Sequence, residues 1–262
     1  MKKVSNYIVP LLFLFFLASC EKVVDVKVKG AEKKYVVEGV LTNETGKCEV
    51  KISQTLNLDD DNTFNGVSGA QVTITDDKGV VSTLLESAPG IYRNNLAGKP
   101  GTTYTMEVHI SGNKFTAQST MPNPVAIDSL YISSMDMMGD KTLMPNIVFR
   151  DPAEKGNAYR FIQYLNGKKS TDIFVQNDVL SNGRLNTTTL FQHDNDLKKG
   201  DSVGVDMLCI DNNVYKYWFS LYQGATGEED SASPANPETN IKGGALGYFS
   251  AHTVSRKAVT VN

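Results

Sequence analysis

The stretch TYTMEVHI, residues 103–110, alternates apolar and polar side chains over its whole length. Its apolar members run from Tyr104 to Ile110 at every second position, and the residues between them are polar. Because successive side chains of a strand point to opposite faces of a sheet, this alternation predicts a half-buried β-strand. The stretch therefore indicates a sheet that has one face in a hydrophobic core.

Five segments of similar character surround this one. They are rich in β-branched and aromatic residues and are separated by Gly, Pro, Asn and Asp. The segments are YVVEGVLT (35–42), CEVKISQ (48–54), AQVTITD (70–76), VVSTLLE (80–86) and KFTAQST (114–120). The residues at 76–79 and Gly112-Asn113 predict hairpin turns. Six strands within about 90 residues predict a β-sandwich.

Three segments of this region also resemble a known module. In chain order they are GAQVTITDDKG (69–79), PGIYRNN (89–95) and KPGTTYTMEV (99–108). This order resembles the immunoglobulin-like or transthyretin-like modules of carboxypeptidase-regulatory type. The resemblance implies an immunoglobulin-like β-sandwich at residues 35–122. It implies no activity, because one such fold serves many functions.

The second half of the chain is also predicted to be mainly β. Two prolines in TMPNPVAID (120–128) favour a domain boundary, so residues 123–262 are predicted to form a second domain. The segment YRFIQYLNGKKSTDIFV (159–175) has Asn166-Gly167 between two apolar strands, which is a strong hairpin signal. The segment DSVGVDMLCID (201–211) is a further long strand candidate.

One segment has the spacing of a helix. Its four aromatic residues lie at i, i+3, i+4 and i+7, and they are Tyr215, Trp218, Phe219 and Tyr222. This spacing places them on one face of a short helix. Such a face can stack against sugar rings, but it more often packs in a core, and the core interpretation is favoured. The polar residues 223–240 after it predict a long loop of the kind that is usually functional or disordered.

The first twenty residues predict export and a lipid anchor. Two lysines precede an apolar run, Ile8–Ala18, that is too short to span a bilayer. The run ends in Leu-Ala-Ser-Cys20, which resembles the lipobox of bacterial lipoproteins, where the cysteine thiol accepts a diacylglycerol. We expect a signal peptide at residues 1–19, acylation (palmitate included) at Cys20, and a tether at residues 20–34. The alternative is an ordinary signal peptide with a chance cysteine.

Charge and cysteine content limit the partners. The formal net charge is −3 and no basic stripe is present, so nucleic acid is not an expected partner.

Cys48 and Cys209 would remain after processing of the signal peptide. They could form a disulfide in an exported protein, but they lie far apart in the chain, so two partly buried free thiols are favoured.

The segment SPANPETNIKGGALGYFSAHT, residues 233–253, allows two interpretations. A phosphate-binding glycine loop would have to open a helix. Here the glycines lead into a segment with strand character, and no Gly-Lys-Ser/Thr follows, so the phosphate interpretation fails. The glycines are instead predicted to allow close backbone packing that places Tyr248 and Phe249 in the core.

Candidate catalytic and metal-binding residues are few. His193 lies beside Asp194 and Asp196, which could meet a metal ion, but a solvated turn is favoured. The three aspartates at 59–61 suggest calcium, but Val72 stands where an EF-hand needs a bidentate Glu. Ser, His and Asp residues show no spacing that would pair them for catalysis. We therefore predict no catalytic residue, no cofactor and no metal site, with a looser surface calcium site at the three aspartates as the alternative.

Several of these features together resemble one family. They are the lipobox, GAQVTITDDKG, VFRDPAEKGNAYRF (148–161), VYKYWFSLY (214–222) and NPETNIKGGALGYFSA (236–251). Over about residues 20–260 the chain resembles the domain-of-unknown-function 4249 family, which are lipoproteins of Bacteroidetes-type bacteria. Family members are typically encoded beside TonB-dependent outer-membrane receptors, so the resemblance implies an accessory role at the outer membrane. It carries over one functional residue, Cys20.

The sequence therefore predicts a lipid-anchored outer-membrane protein that is not an enzyme. We expect it to act as an accessory or binding partner of a TonB-dependent receptor, with the cargo and the membrane leaflet left open. Residues 57–66 and 223–240 are the first binding surfaces to consider, because loops on a rigid β scaffold commonly bind ligands. The alternatives are an envelope adhesin or structural protein and a hydrolase of envelope polymers.

Overall fold

Strands dominate the regular structure of this protein. The structure is a computed structural model, and it describes residues 32–56, 63–137, 140–191, 197–226 and 236–262. Within these ranges the chain forms sixteen strands and one helix, and Lys33–Asn262 belong to one compact unit. The predicted fold class, mainly β with one short helix, is confirmed.

The N-terminal half forms the predicted immunoglobulin-like sandwich. Its strands are β1 (Tyr35–Thr42), β2 (Cys48–Gln54), β3 (Gln71–Thr75), β4 (Val81–Ala88), β5 (Ile91–Asn94), β6 (Thr103–Ile110) and β7 (Asn113–Thr120). One layer contains β1, β2 and β5, the other contains β3, β6 and β7, and β4 pairs with both β5 and β3. The apolar face of TYTMEVHI, which is β6, lies in the core between the layers.

Hairpin turns connect these strands where turn residues predicted them. The Oδ1 atom of Asp76 accepts hydrogen bonds from the backbone N–H groups of Lys78 (3.0 Å) and Val80 (2.8 Å), which closes the β3–β4 turn. The β6–β7 turn is centred one residue earlier than predicted, with positive φ at Ser111 and Gly112. A two-residue turn of this hand needs positive φ at both central positions, so the residue after Gly112 already belongs to β7.

A second sandwich follows the first. Its strands are β8 (Ile127–Met137), β9 (Asp140–Arg150), β10 (Ala158–Leu165), β11 (Lys168–Lys169), β12 (Phe174–Asn177), β13 (Leu185–Thr189) and β14 (Ser202–Ile210). The strands β8, β9 and β13 form a separate sheet, while β10 pairs with β11, β12 and β14. The core between them includes Phe149, Tyr159 and Phe161. The Asn166-Gly167 turn joins β10 to β11 as predicted.

The C-terminal strand joins the two sandwiches. The last two strands are β15 (Ile241–Lys242) and β16 (Leu246–Thr260). The first half of β16, Leu246–His252, pairs in parallel with β1, and the second half, Thr253–Thr260, pairs antiparallel with β14. One strand is thus an integral part of both sandwiches. The predicted domain division near residue 122 stays a prediction.

The glycine-rich segment around the start of β16 packs closely against its neighbours, as predicted. Gly247 has a φ of 98°, and a Cβ atom there would lie 2.0 Å from the carbonyl oxygen of Val37. No side chain fits at that distance, so β16 reaches β1 only with glycine at this position. Asn240 holds the strand by accepting a hydrogen bond from the N–H of Phe249 (2.9 Å) and donating one to its carbonyl (2.8 Å). Tyr248 and Phe249 are buried.

Candidate ligand-binding site

Helix α1 (Asn212–Thr226) lies on the sheet face opposite the second core, and Asp211 fixes its start. The Oδ1 atom of Asp211 accepts hydrogen bonds from the N–H groups of Asn213 (2.9 Å) and Val214 (3.0 Å). This cap satisfies two donors that the first helical turn leaves free. The Oδ2 atom accepts a hydrogen bond from the hydroxyl of Ser119. The same carboxylate therefore ties the helix to β7.

The aromatic residues on one face of α1 lie in two different environments, the sheet surface and the solvent. Trp218 faces the sheet and meets Tyr248 of β16 edge-on, with ring centroids 5.1 Å apart. Phe219 is the next residue, yet 39% of its surface is exposed, and its ring stacks on Tyr215 with centroids 5.5 Å apart. The favoured core interpretation therefore fits Trp218, whereas Phe219 faces solvent.

The sheet-facing side of α1 packs against a cationic side chain of the sheet. The Cζ atom of Arg160 on β10 lies 3.3 Å from the ring centroid of Trp218. Tyr217 and Tyr248 pack together beside Trp218 with ring centroids 4.8 Å apart. Burial lowers the pKa of Arg160, an effect that Tyr248 opposes, and burial raises the pKa of Tyr248 to about 12. A guanidinium stays charged at neutral pH, so its contact with Trp218 helps to hold the helix on the sheet.

The other side of α1 lines a pocket. The pocket has a volume of about 590 Å³ and lies between α1, β12 and β13. This volume falls in the range of small-molecule sites. Its aromatic walls include Phe161, Phe174, Phe191 and Phe219, and its polar walls include Gln176 and Thr188. The exposed fractions of Phe191 (43%) and Phe219 (39%) show that the aromatic walls open to solvent.

Hydrogen bonds fix the polar groups of the pocket. The Oγ1 atom of Thr188 donates to the Oε1 atom of Gln176 at 2.6 Å, which joins β13 to β12. This bond orients the carboxamide of Gln176 by its oxygen, and among the described residues its Nε2 atom has no acceptor. The Oδ2 atom of Asp172 accepts a hydrogen bond from the hydroxyl of Ser170 at 2.9 Å. The pocket thus combines aromatic surfaces with oriented polar groups.

Ser250 and His252 form a hydrogen-bonded pair on β16, while the prediction that no residues are spaced for catalysis stays a prediction. The Oγ atom of Ser250 and the Nδ1 atom of His252 are 2.9 Å apart, because alternate residues of a strand share a face. Both side chains are buried, and burial, followed by the charge of Arg160, lowers the pKa of His252 to about 4. Neither residue lines the pocket. We assign this pair to the packing beneath α1.

Several predicted positions lie outside the described residues. These are the signal peptide, Cys20, most of the tether, the aspartates at 59–61 and the cluster at 193–196. The segments 57–66 and 223–240 are described only in part, and the predicted loop at 223–240 begins later than expected because α1 continues to Thr226. The predictions that rest on these positions therefore stay predictions.

The two cysteines are free, as favoured from the sequence. Cys48 is buried in the first core and Cys209 in the second. Burial raises the pKa of Cys48 to about 12 and also raises the pKa of Cys209. Since the thiolate is the reactive form, both cysteines are unreactive at neutral pH.

Metal ligands do not gather in the part of the chain that the structure describes. There, no group of three or more His, Cys, Asp or Glu side chains is arranged to hold a metal ion. Across the same described ranges, no helix combines the length and apolar character needed to cross a membrane.

The pocket was not found from the sequence, because its walls come from distant segments. They are residues 171–176, 188–191 and 219–222. Only the last segment has a recognisable signal, the aromatic spacing on a helix. Nothing in the local sequence around Gln176 and Thr188 marks them as partners, since long-range strand pairing brings them together.

The fold and the pocket define a mainly β sandwich protein with an aromatic-lined pocket beside one helix. The family profile described as "Domain of unknown function (DUF4249)" matches residues 21–258. The chain belongs to this family, as its motifs suggested. None of the curated proteins matches the chain.

One solved structure that matches the chain is a two-domain fibronectin type III segment of chicken tenascin. It is 11% identical, covers 69% of this chain and 93% of its own, and has a TM-score of 0.24. A TM-score this low supports no argument about function.

Proposed function

We propose that this chain is an outer-membrane lipoprotein, anchored through Cys20, that acts as a non-enzymatic binding accessory of a TonB-dependent receptor. The observation behind this proposal is the pocket between α1, β12 and β13, whose aromatic and oriented polar groups suit ligand capture. The ligand would be held there close to the membrane and passed to the receptor.

The lipid anchor is supported by the sequence. A basic start, the apolar run Ile8–Ala18 and Leu-Ala-Ser-Cys20 occur together within twenty residues. Each buried methylene adds about 0.8 kcal/mol of membrane affinity, so a multiply acylated cysteine holds a protein stably. Mass spectrometry of the mature N-terminus should find diacylglycerol on Cys20. A Cys20→Ser protein that is still processed and membrane-bound would contradict this anchor.

A rigid frame supports the binding role of the pocket. The wall strand β12 pairs with β10, and β13 pairs with β9. The third wall, α1, is fixed by the Asp211 cap and by the contact of Trp218 with Arg160. Groups held on such elements stay oriented before a ligand arrives, which lowers the entropic cost of binding.

The receptor partnership is supported by membership in the DUF4249 family and by the predicted anchor. The decisive test is affinity purification from outer membranes solubilised in mild detergent. We expect a large β-barrel receptor to be recovered in stoichiometric amount. Recovery of the protein alone, together with normal substrate uptake in a deletion strain, would overturn the proposal.

Substitutions can link the pocket to uptake. Phe219→Ala should reduce receptor-dependent uptake, because it removes an exposed aromatic wall of the pocket. Tyr131→Ala is the matched control, since Tyr131 on β8 is 43% exposed and lies outside the pocket. Equal uptake by both variants would show that this pocket is not the binding site.

A further inference from the structure

We infer that the pocket binds a neutral oligosaccharide. This inference rests on the proposed binding function and narrows it to one class of ligand. It depends on three properties of the pocket: solvent-facing aromatic rings, neutral hydrogen-bonding groups, and the absence of cations from its described lining.

The aromatic rings provide flat apolar surfaces that water can reach. Phe191 and Phe219 are 43% and 39% exposed, although burial of such rings is strongly favourable. Phe219 is also held in place, because its ring stacks on Tyr215 with an interplanar angle of 20°. The faces of a pyranose ring that bear only C–H groups would cover such surfaces and displace their water.

The polar groups beside these rings suit hydroxyl groups. Thr188 holds Gln176 by its Oε1 atom, so the Nε2 atom is oriented as a donor. The hydroxyl oxygen of Thr188 keeps lone pairs that can accept a hydrogen bond. Sugar hydroxyls both donate and accept, and can therefore satisfy both groups. A purely aliphatic ligand would cover them without replacing their bonds to water, which is unfavourable.

The described lining of the pocket offers no cation to a ligand. No Lys, Arg or His is present among the described residues that line the pocket, and its one ionisable carboxylate is Asp172. Among these described residues, a carboxylate or phosphate on the ligand would meet no cation. Asp172 accepts a hydrogen bond from Ser170, so its position is set by the protein. These features favour an uncharged ligand.

The volume of about 590 Å³ fits a short chain of sugars better than a single small group. The pocket also opens to solvent at Phe191 and Phe219, so a longer chain can extend out of it. We therefore expect recognition of a short internal or terminal stretch of a glycan.

The test starts with the purified mature protein, without lipid, on an immobilised array of neutral oligosaccharides. The array should include α- and β-linked hexoses, N-acetylhexosamines and deoxyhexoses. The strongest binder is then titrated by calorimetry. We expect Phe219→Ala and Gln176→Leu each to weaken binding at least tenfold. Tyr131→Ala and Gln118→Leu are matched exposed controls outside the pocket, and they should change affinity less than twofold.

Two comparison probes separate this inference from other ligand classes. Palmitate and choline are titrated under the same conditions. Binding of either one that is lost in Phe219→Ala, with no saccharide binding, would overturn the inference. So would the absence of binding across the whole array.

Folding of each variant is checked by the fluorescence of Trp218, which is the sole tryptophan and lies outside the pocket lining. An unchanged emission spectrum shows that α1 still packs on the sheet. Receptor recovery from membranes is measured separately on the wild-type protein with its lipid anchor. If the receptor is recovered but no saccharide binds, the ligand class is wrong and the accessory role stands.

Discussion

Trp218 and Phe219 are neighbours on α1, yet they have opposite surroundings. Trp218 packs on Arg160 and Tyr248, against the sheet. Phe219 lines the pocket and is 39% exposed. The sheet-facing side of the helix holds the fold together, while the pocket-facing side presents aromatic surface to solvent. One aromatic stripe can therefore stabilise the fold on one side and leave aromatic surface exposed to solvent on the other.

The strongest test of this difference is Trp218→Ala. Truncating a packed aromatic residue costs about 3 kcal/mol, and the lost contact with Arg160 adds about 1 kcal/mol. We expect the free energy of unfolding to fall by about 4 kcal/mol, measured by urea denaturation followed by circular dichroism. A loss no larger than that of Phe219→Ala would show that the two sides of α1 are equivalent.

The second test uses pH. Burial lowers the pKa of His252 in the folded state from 6.5 to about 4, so the unfolded chain takes up a proton more readily. The stability that depends on neutral His252 is complete above about pH 6.5 and is lost as the pH falls towards 4. At 1.36 kcal/mol per pKa unit, the loss reaches about 3 kcal/mol.

The measurement compares the pH dependence of unfolding for the wild type and for His252→Asn. Carboxylates titrate in both proteins, so the difference between the two slopes reports on His252. The charged groups around it, Arg160, Arg256 and Glu44, remain in both. Identical slopes for wild type and His252→Asn would contradict the prediction.

The third test is Asp211→Ala, which acts on the start of the helix. Loss of an N-cap costs about 1 kcal/mol, and leaving the buried Ser119 hydroxyl without its acceptor costs about 1 kcal/mol more. We expect a total loss of about 2 kcal/mol, read from thermal or urea unfolding. Asp77→Ala, in the exposed β3–β4 turn, should be close to neutral. If both substitutions behave alike, the cap does not position α1.

The smallest effect on stability is expected for Phe219→Ala. An exposed aromatic residue away from the core contributes about 0.5 kcal/mol, so unfolding should barely change. Its effect on ligand binding should nevertheless exceed that of every substitution outside the pocket. A large destabilisation would place Phe219 with the core and remove the contrast with Trp218.

Much of the fold could be predicted from local sequence. Strict alternation identified β6, Asn166-Gly167 identified the β10–β11 turn, and aromatic spacing identified α1. In each case, the signal and the structure involve the same few residues. The glycines around the start of β16 were also interpreted correctly. The backbone of β1 lies so close to Gly247 that no side chain fits there.

The pairing of strands that are distant in the chain could not be predicted from local sequence. Nothing in the sequence of β16 shows that its first half pairs with β1 and its second half with β14. The pocket has the same origin, since Gln176 and Thr188 meet only after β12 and β13 are placed by other strands. Local patterns define which face of a strand is buried, but they do not define its neighbour.

The shared strand has a consequence for the order of folding. Val36 in β1 pairs with Leu246 near the C-terminal end, so the edge of β1 stays open until almost the whole chain has been made. Contacts so distant in sequence form slowly, and an open edge strand can pair with other chains in the meantime. A chain cut short before residue 246 would therefore be prone to aggregate, although every strand of its first sandwich up to β7 is present.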